Sequence, residues 1–256
     1  MKSFSFLSKV FLTLVCGLFL FHPSFSQGTL FNYGKYSNAE GDSLNYRILV
    51  SDYDIGSKYP LVIFLHGAGE RGSDNESQLK WGVSNFATSR VMKMHRPIVI
   101  APQCPEGESW VDYKSDSRTM KKSPTKSMQL VLDLISEAVA KYPIDTSRIY
   151  ITGLSMGGFG TFDAIARRPD LFAAAVPVCG GGDASKASIM ADMPIWIFHG
   201  ALDGAVDAAR AREMVEALTR AGGHVGYTQY PETGHFSWVA AYSDEMMIDW
   251  LFRQRR

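Results

Sequence analysis

Residues 149–160 read Ile149-Tyr-Ile-Thr-Gly-Leu-Ser-Met-Gly-Gly-Phe-Gly160. The first half is β-branched and aromatic and predicts a strand. The second half predicts a helix, and Gly153-x-Ser155-x-Gly157 predicts a tight turn between them. Such a turn holds its serine in a strained conformation that lifts the hydroxyl clear of the sheet. Glycines are expected at 153 and 157 because a Cβ there would strike the neighbouring strand or helix. The helix N-terminus adds backbone N–H donors and the positive end of a dipole where an oxyanion would form. Gly-x-Ser-x-Gly also arises by chance, in about one chain in ten of this size. The rest of the chain has to carry the argument further.

Outward from this turn, short apolar runs recur at 61–65, 97–101, 149–152, 173–178, 194–198 and 225–230. Their hydrophobicity is continuous rather than alternating, which predicts strands buried on both faces. Helical spacing falls between them at 78–89, 124–141, 155–167, 207–220 and 237–252. In the second of these, Ser123 is read as the N-cap and Pro124 as the first helical residue. Asp207 is read as the cap of the fourth. Segments 29–36 and 44–51 alternate around Glu40-Gly41-Asp42 and predict an antiparallel hairpin at a sheet edge. Strands alternating with helices make this an α/β chain. The expected sheet is mostly parallel and doubly wound, with helices on both faces. Only about fifteen residues separate the 173–178 and 194–198 strands, too few for a lid domain. An open, shallow site is expected.

The chain has 256 residues, with 26 Lys and Arg balancing 26 Asp and Glu. A zero net charge gives no electrostatic reason to expect nucleic acid or an anionic membrane as partner. Residues 1–26 read as a signal peptide: Lys2 and Lys9, an apolar stretch from Val10 to Phe21, then Ser24 and Ser26 around Phe25. The remaining residues 27–256 suit one domain, secreted or periplasmic, with no membrane association after leader cleavage. Cys16 lies in the leader stretch. Cys104 and Cys179 are expected as buried thiols rather than a bridge, because their strands sit apart in the sheet.

A serine hydroxyl becomes a useful nucleophile only with a base to take its proton and an acid to orient that base. With the serine on such a turn, the chain order is Ser, then acid, then His. His224 precedes the last strand and falls at the wrong end of the sheet, whereas His235 follows it in Pro231-Glu-Thr-Gly-His235. The C-terminal ends of parallel strands are where site residues meet. His235 is therefore the expected base. Asp203, in His199-Gly-Ala-Leu-Asp203-Gly204, is the expected acid, with Asp183 as runner-up. The oxyanion donors are expected to be the N–H groups of Met156 and of Ala68 in the turn Gly67-Ala68-Gly69. His66 reads as structural. Trp110 and Trp238 are candidate substrate-contacting walls. Glu70 and Arg71 are expected to order the oxyanion turn. This chemistry needs neither metal nor cofactor.

Taken together, His66-Gly-Ala-Gly-Glu-Arg-Gly72, Ala101-Pro-Gln103 with Trp110, Thr152-Gly-Leu-Ser-Met-Gly-Gly158, Val178-Cys-Gly-Gly-Gly-Asp183, His199-Gly-x-x-Asp203 and Gly234-His235 resemble the esterase branch of the α/β-hydrolases. The likeness runs from about Leu61 to Phe252. It is similar to dienelactone hydrolase and the phospholipase/carboxylesterase-like enzymes, and to secreted feruloyl, acetyl-xylan and polyhydroxybutyrate esterases. Dienelactone hydrolase uses a cysteine nucleophile, and Ser155 argues against that activity. The resemblance implies a serine carboxylesterase acting through an acyl-enzyme on short-acyl or aromatic esters, either small molecules or esters linked to polysaccharide. Two alternatives stay open on the sequence. One is a prolyl-oligopeptidase-like serine peptidase, the other a non-catalytic binding domain. Oligomeric state is not legible.

Overall fold

In the computed structural model, residues 30–50, 52–112 and 118–256 are described. The expected leader, with Cys16, lies outside them. Eight strands form one sheet in the order β1-β2-β4-β3-β5-β6-β7-β8. They are β1 (Asn32–Ser37), β2 (Ser43–Leu49), β3 (Tyr59–Leu65), β4 (Ile98–Gln103), β5 (Ile144–Leu154), β6 (Ala174–Val178), β7 (Ile195–Gly200) and β8 (Val225–Tyr230). The pair β1–β2 and the pair β2–β4 are antiparallel. All pairs from β4 through β8 are parallel. The expected hairpin thus sits at one edge of an otherwise parallel sheet.

The helices are α1 (Ser89–Met94), α2 (Lys126–Lys141), α3 (Met156–Arg167), α4 (Ala187–Met190), α5 (Ala209–Arg220), α6 (Trp238–Ser243) and α7 (Glu245–Arg253). They cover both faces. In β3, Leu61, Ile63 and Leu65 pack toward Met128, Leu132 and Ile135 of α2 and Met214 of α5. Val62 and Phe64 pack the other way, toward Phe86, Tyr242, Leu251 and Phe252. Successive side chains of a strand point to opposite faces, so a strand covered on both sides must be apolar throughout. All seven residues of β3 are buried.

Three helix boundaries differ from expectation. Residues 78–89 do not form one helix. They make the 3-10 turns Ser77–Leu79 and Val83–Ala87, and α1 starts only at Ser89. Gly82, at φ +73°, breaks the helical path between the two turns. The helix expected at Pro124 starts at Lys126, because Thr125, not Ser123, caps it: its hydroxyl accepts from Met128 N–H at 3.1 Å. The C-terminal helix divides at Asp244, whose carboxylate accepts from Met246 N–H at 2.8 Å and starts α7. Asp207 accepts from Ala209 N–H at 2.8 Å, while Ala208 stands at the cap position of α5. Cys104 and Cys179 are free and buried, with β3 and β5 between the strands they follow. Among the described residues, no helix is long and apolar enough to cross a membrane.

Candidate active site

The turn between β5 and α3 is built by close backbone approach. A Cβ on Gly157 would stand 1.9 Å from the Leu65 carbonyl oxygen at the end of β3. One on Gly153 would stand 2.5 Å from the Gly157 carbonyl. Both contacts are backbone and cannot yield. Between them Ser155 sits at φ 52° and ψ −117°, a conformation that costs energy for a residue with a side chain. Its amide is held from beneath, donating to Val178 O at 2.9 Å and toward Cys179 Sγ at 3.2 Å. Cys179 itself has a positive φ of 41°. The strained serine is thus fixed by the ends of β3 and β6.

Three strand ends bring three side chains together. His235 Nε2 lies 2.9 Å from Ser155 Oγ, and His235 Nδ1 lies 2.8 Å from Asp203 Oδ2. The carboxylate neighbour places the ring proton on Nδ1, which leaves Nε2 free to accept from the serine hydroxyl. Asp203 Oδ1 accepts from the N–H groups of Ala205 and Val206, both at 2.9 Å. Burial pushes the Asp203 carboxyl up, but the hydrogen bonds from His235, Val206 and Ala205 outweigh it and hold it below its ordinary value. Asp203 is therefore ionised beside His235.

A second histidine faces the same carboxylate. His199 Nε2 lies 3.2 Å from Asp203 Oδ2 and 2.9 Å from Val206 O. Both neighbours are acceptors, so Nε2 carries the proton. Nδ1 is buried with no hydrogen-bond partner. Burial lowers the His199 pKa and keeps the ring neutral. The sequence assigns His199 no separate role, although it opens the His199-Gly-x-x-Asp203 motif; its approach to Asp203 appears only when the β7 turn folds the two together.

Asp183, the runner-up acid, accepts from Ser185 N–H and Met120 N–H, both at 3.0 Å, and serves as a cap. Met156 is the first residue of α3, and Ala68 is the first residue of the 3-10 turn Ala68–Glu70 after β3. First-turn N–H groups have no intrahelical acceptor, so both positions are suited to donate outward. His66, behind that turn, donates from Nδ1 to Gly67 O at 2.6 Å and accepts at Nε2 from Cys104 N–H at 2.9 Å. Glu70 is buried, which pushes its carboxyl up. Lys80, the Gly67 backbone and the Trp81 indole act against that rise.

The two tryptophan expectations need correction. Trp110 is fully buried, and its Nε1 donates to His66 O at 3.0 Å. Its indole fills the core behind the oxyanion turn and offers no wall to substrate. Trp238 is 5% exposed and backs His235 edge-on, with ring centroids 5.2 Å apart. The exposed aromatic here is Phe236, at 58%, with Trp81 beside it at 6.0 Å. On the other side of Ser155, a cleft of about 550 Å³ is lined by Val111, Met156, Phe159, Val206 and Arg210 among others.

Cys179, Asp203 and His235 place potential ligand atoms within 4.8 Å of one another. The Asp203 and His235 atoms are already bonded to each other. The trio fits the underside of the serine site better than a metal centre.

The profile of the phospholipase/carboxylesterase family matches residues 54–247, three quarters of the chain. The chain belongs to this family. Its members place it in the α/β-hydrolase fold, and a solved thermostable esterase superposes with a TM-score of 0.84 at 42% identity. That match covers 89% of this family member and 64% of the other chain. A bifunctional acetylxylan esterase/xylanase of Neocallimastix patriciarum is 30% identical over 161 residues, 63% of this chain and 21% of the other. A poly(3-hydroxyalkanoate) depolymerase of Paucimonas lemoignei is 31% identical over 128 residues, 48% of this chain and 28% of the other. The chain thus spans less than two thirds of each of these proteins.

Proposed function

We propose that the protein is a serine carboxylesterase. The observation that carries this reading is the continuous path Ser155 Oγ–His235 Nε2–Asp203 Oδ2, at 2.9 and 2.8 Å. Ser155 attacks the ester carbonyl while His235 takes its proton. Asp203 holds the imidazole in the right tautomer and stabilises the imidazolium that forms. Met156 and Ala68 N–H groups meet the oxyanion. The carbonyl then reforms, His235 gives its proton to the departing alkoxide, and water releases the acyl group by the same steps in reverse.

His235 must lie on the leaving-group side, because it protonates that oxygen. The acyl substituent therefore points away from it, toward the cleft beside Met156. The cleft is apolar at Val111, Phe159 and Val206, with Arg210 also in its lining. Its apolar lining beside Met156 suits a short or aromatic acyl group. The similarity to an acetylxylan esterase/xylanase, a poly(3-hydroxyalkanoate) depolymerase and a thermostable esterase favours ester over amide bonds. We also read residues 1–26 as an export leader, so that the enzyme works outside the cytoplasm on small or polysaccharide-linked esters. N-terminal sequencing of the exported protein tests that, with a start near Gln27 expected.

The central test is hydrolysis of p-nitrophenyl acetate by wild type and Ser155→Ala. Loss of the nucleophile is expected to lower kcat on the order of 10⁴-fold or more. Equal rates would overturn the assignment.

A further inference from the structure

We propose that Phe236 and Trp81 form a leaving-group subsite for alcohols that carry a flat, apolar ring face. The inference rests on the esterase reading above, because it uses the side of Ser155 on which His235 protonates the departing oxygen. Phe236 follows His235 directly in the chain and is 58% exposed. Its ring lies 4.6 Å from Trp238 and 6.0 Å from Trp81, and Trp81 lies 6.1 Å from Trp238. Trp238 also meets the His235 ring edge-on at 5.2 Å. The buried Trp238 thus meets the His235 ring, and Phe236 and Trp81 pack against Trp238.

These rings are held in place. Trp238 is buried, so Phe236 rests on a fixed support. The Trp81 indole and the Gly67 backbone both act electrostatically on the buried Glu70 carboxylate beside the oxyanion turn. The Lys80 ammonium stands 5.4 Å from the Trp81 ring centroid. Phe236 is not a lone exposed ring but adjoins Trp81, and contiguous exposed apolar side chains mark a binding surface where single ones do not. Here the position of the patch names what it binds. An alcohol oxygen within hydrogen-bond reach of His235 Nε2 carries its substituent onto the ring cluster that meets that histidine through Trp238. None of these rings lines the cleft past Met156, so acyl and alcohol groups meet separate surfaces.

A platform open to solvent suits a ring that lies flat, with its polar edge in water. Two sources share that chemistry, an aryl alcohol and the C–H face of a sugar ring. Both can be compared with an open-chain alcohol at constant acyl group. The substrates are benzyl acetate, a methyl glucoside 6-acetate and ethyl acetate. Each is measured with wild type, Phe236→Ala and Phe236→Tyr. Ratios of kcat/KM within one variant cancel any general loss of activity. The ring-to-ethyl ratio is expected to fall about five- to tenfold in Phe236→Ala, mainly through KM, and to persist in Phe236→Tyr, which keeps the ring. Trp81→Leu is expected to lower the same ratio. A fall for benzyl alone assigns the platform to aryl alcohols; a fall for the glucoside alone assigns it to sugars. An unchanged ratio for both in Phe236→Ala overturns the subsite. If Ser155-dependent ethyl acetate hydrolysis persists, the esterase reading survives that failure. If wild type hydrolyses none of the three, the esterase reading fails instead.

Discussion

His199 Nε2 lies 3.2 Å from Asp203 Oδ2, and both side chains are fully buried. Two histidines therefore share one carboxylate. His235 reaches it from the β8 loop with 21% of its side chain exposed, and His199 reaches it from the end of β7. The pair divides the work. One ring faces the serine, and the other holds the carboxylate and the Val206 carbonyl.

Removing the inner donor should weaken the carboxylate without touching substrate. In His199→Phe, Asp203 Oδ2 loses the imidazole nitrogen 3.2 Å away, and Val206 O loses its donor. A neutral hydrogen bond contributes about 0.5–1.5 kcal/mol, so kcat/KM should fall roughly two- to tenfold, with KM little changed. The acid limb of the pH profile should move to higher pH. His199→Gln, which returns an N–H near the old Nε2, should recover part of both. A parallel rise in KM or an unmoved acid limb would count against this role.

The turn glycine makes a stability prediction. Gly157→Ala places a methyl group 1.9 Å from Leu65 O and 2.8 Å from His66 O, both backbone atoms at the end of β3. Relief requires α3 to move from β3, which costs about 3 kcal/mol or more. Urea denaturation should show a reduced midpoint with the same slope. A variant as stable as wild type would mean that the elbow is looser than its contacts imply.

Buried neutral histidines set a pH dependence. His66 falls from 6.5 to about 4, chiefly through burial. A lowered folded pKa means that the unfolded chain binds a proton which the native state refuses. The resulting stability is full above the unfolded value and is lost as pH falls from 6.5 toward 4. The loss is roughly 3 kcal/mol from this group. His199 acts in the same direction. Denaturation midpoints measured at pH 7, 6 and 5 should fall in step, and a flat series would contradict the buried neutral state.

Trp110 should behave as a core residue. Trp110→Phe keeps a ring but loses the hydrogen bond to His66 O, leaving that acceptor unpaired. The expected cost is about 1–3 kcal/mol of stability. KM for acetate esters should stay within twofold, because the indole has no exposed surface. A large selective rise in KM would return Trp110 to the substrate wall.

The two interior thiols should be inert. Burial pushes Cys104 up to about 11 and Cys179 up to about 12, and reactivity follows the thiolate. Iodoacetamide at pH 8 should label neither position in the native protein and both after denaturation, read by peptide mass spectrometry. Rapid native labelling at Cys179 would place it nearer solvent than its packing allows.

Much of this molecule is local in origin. Continuous apolar runs specify strands buried on both faces, since any polar side chain there would lose water without gaining a partner. Gly153 and Gly157 specify a turn that no other residue fits. The order of Ser155, Asp203 and His235 along the chain, each just after a strand, selects the candidate trio. These are properties of adjacent residues and of strand direction, so they can be read from one dimension. The burial of Trp110, the exposure of Phe236 and the approach of His199 to Asp203 could not be. Each depends on which elements cover a side chain, and that is settled only when the sheet and its two helical layers close around it. A tryptophan beside an oxyanion turn is apolar and large in either setting. Only packing decided that it fills the core, while a phenylalanine next to the base stands in water.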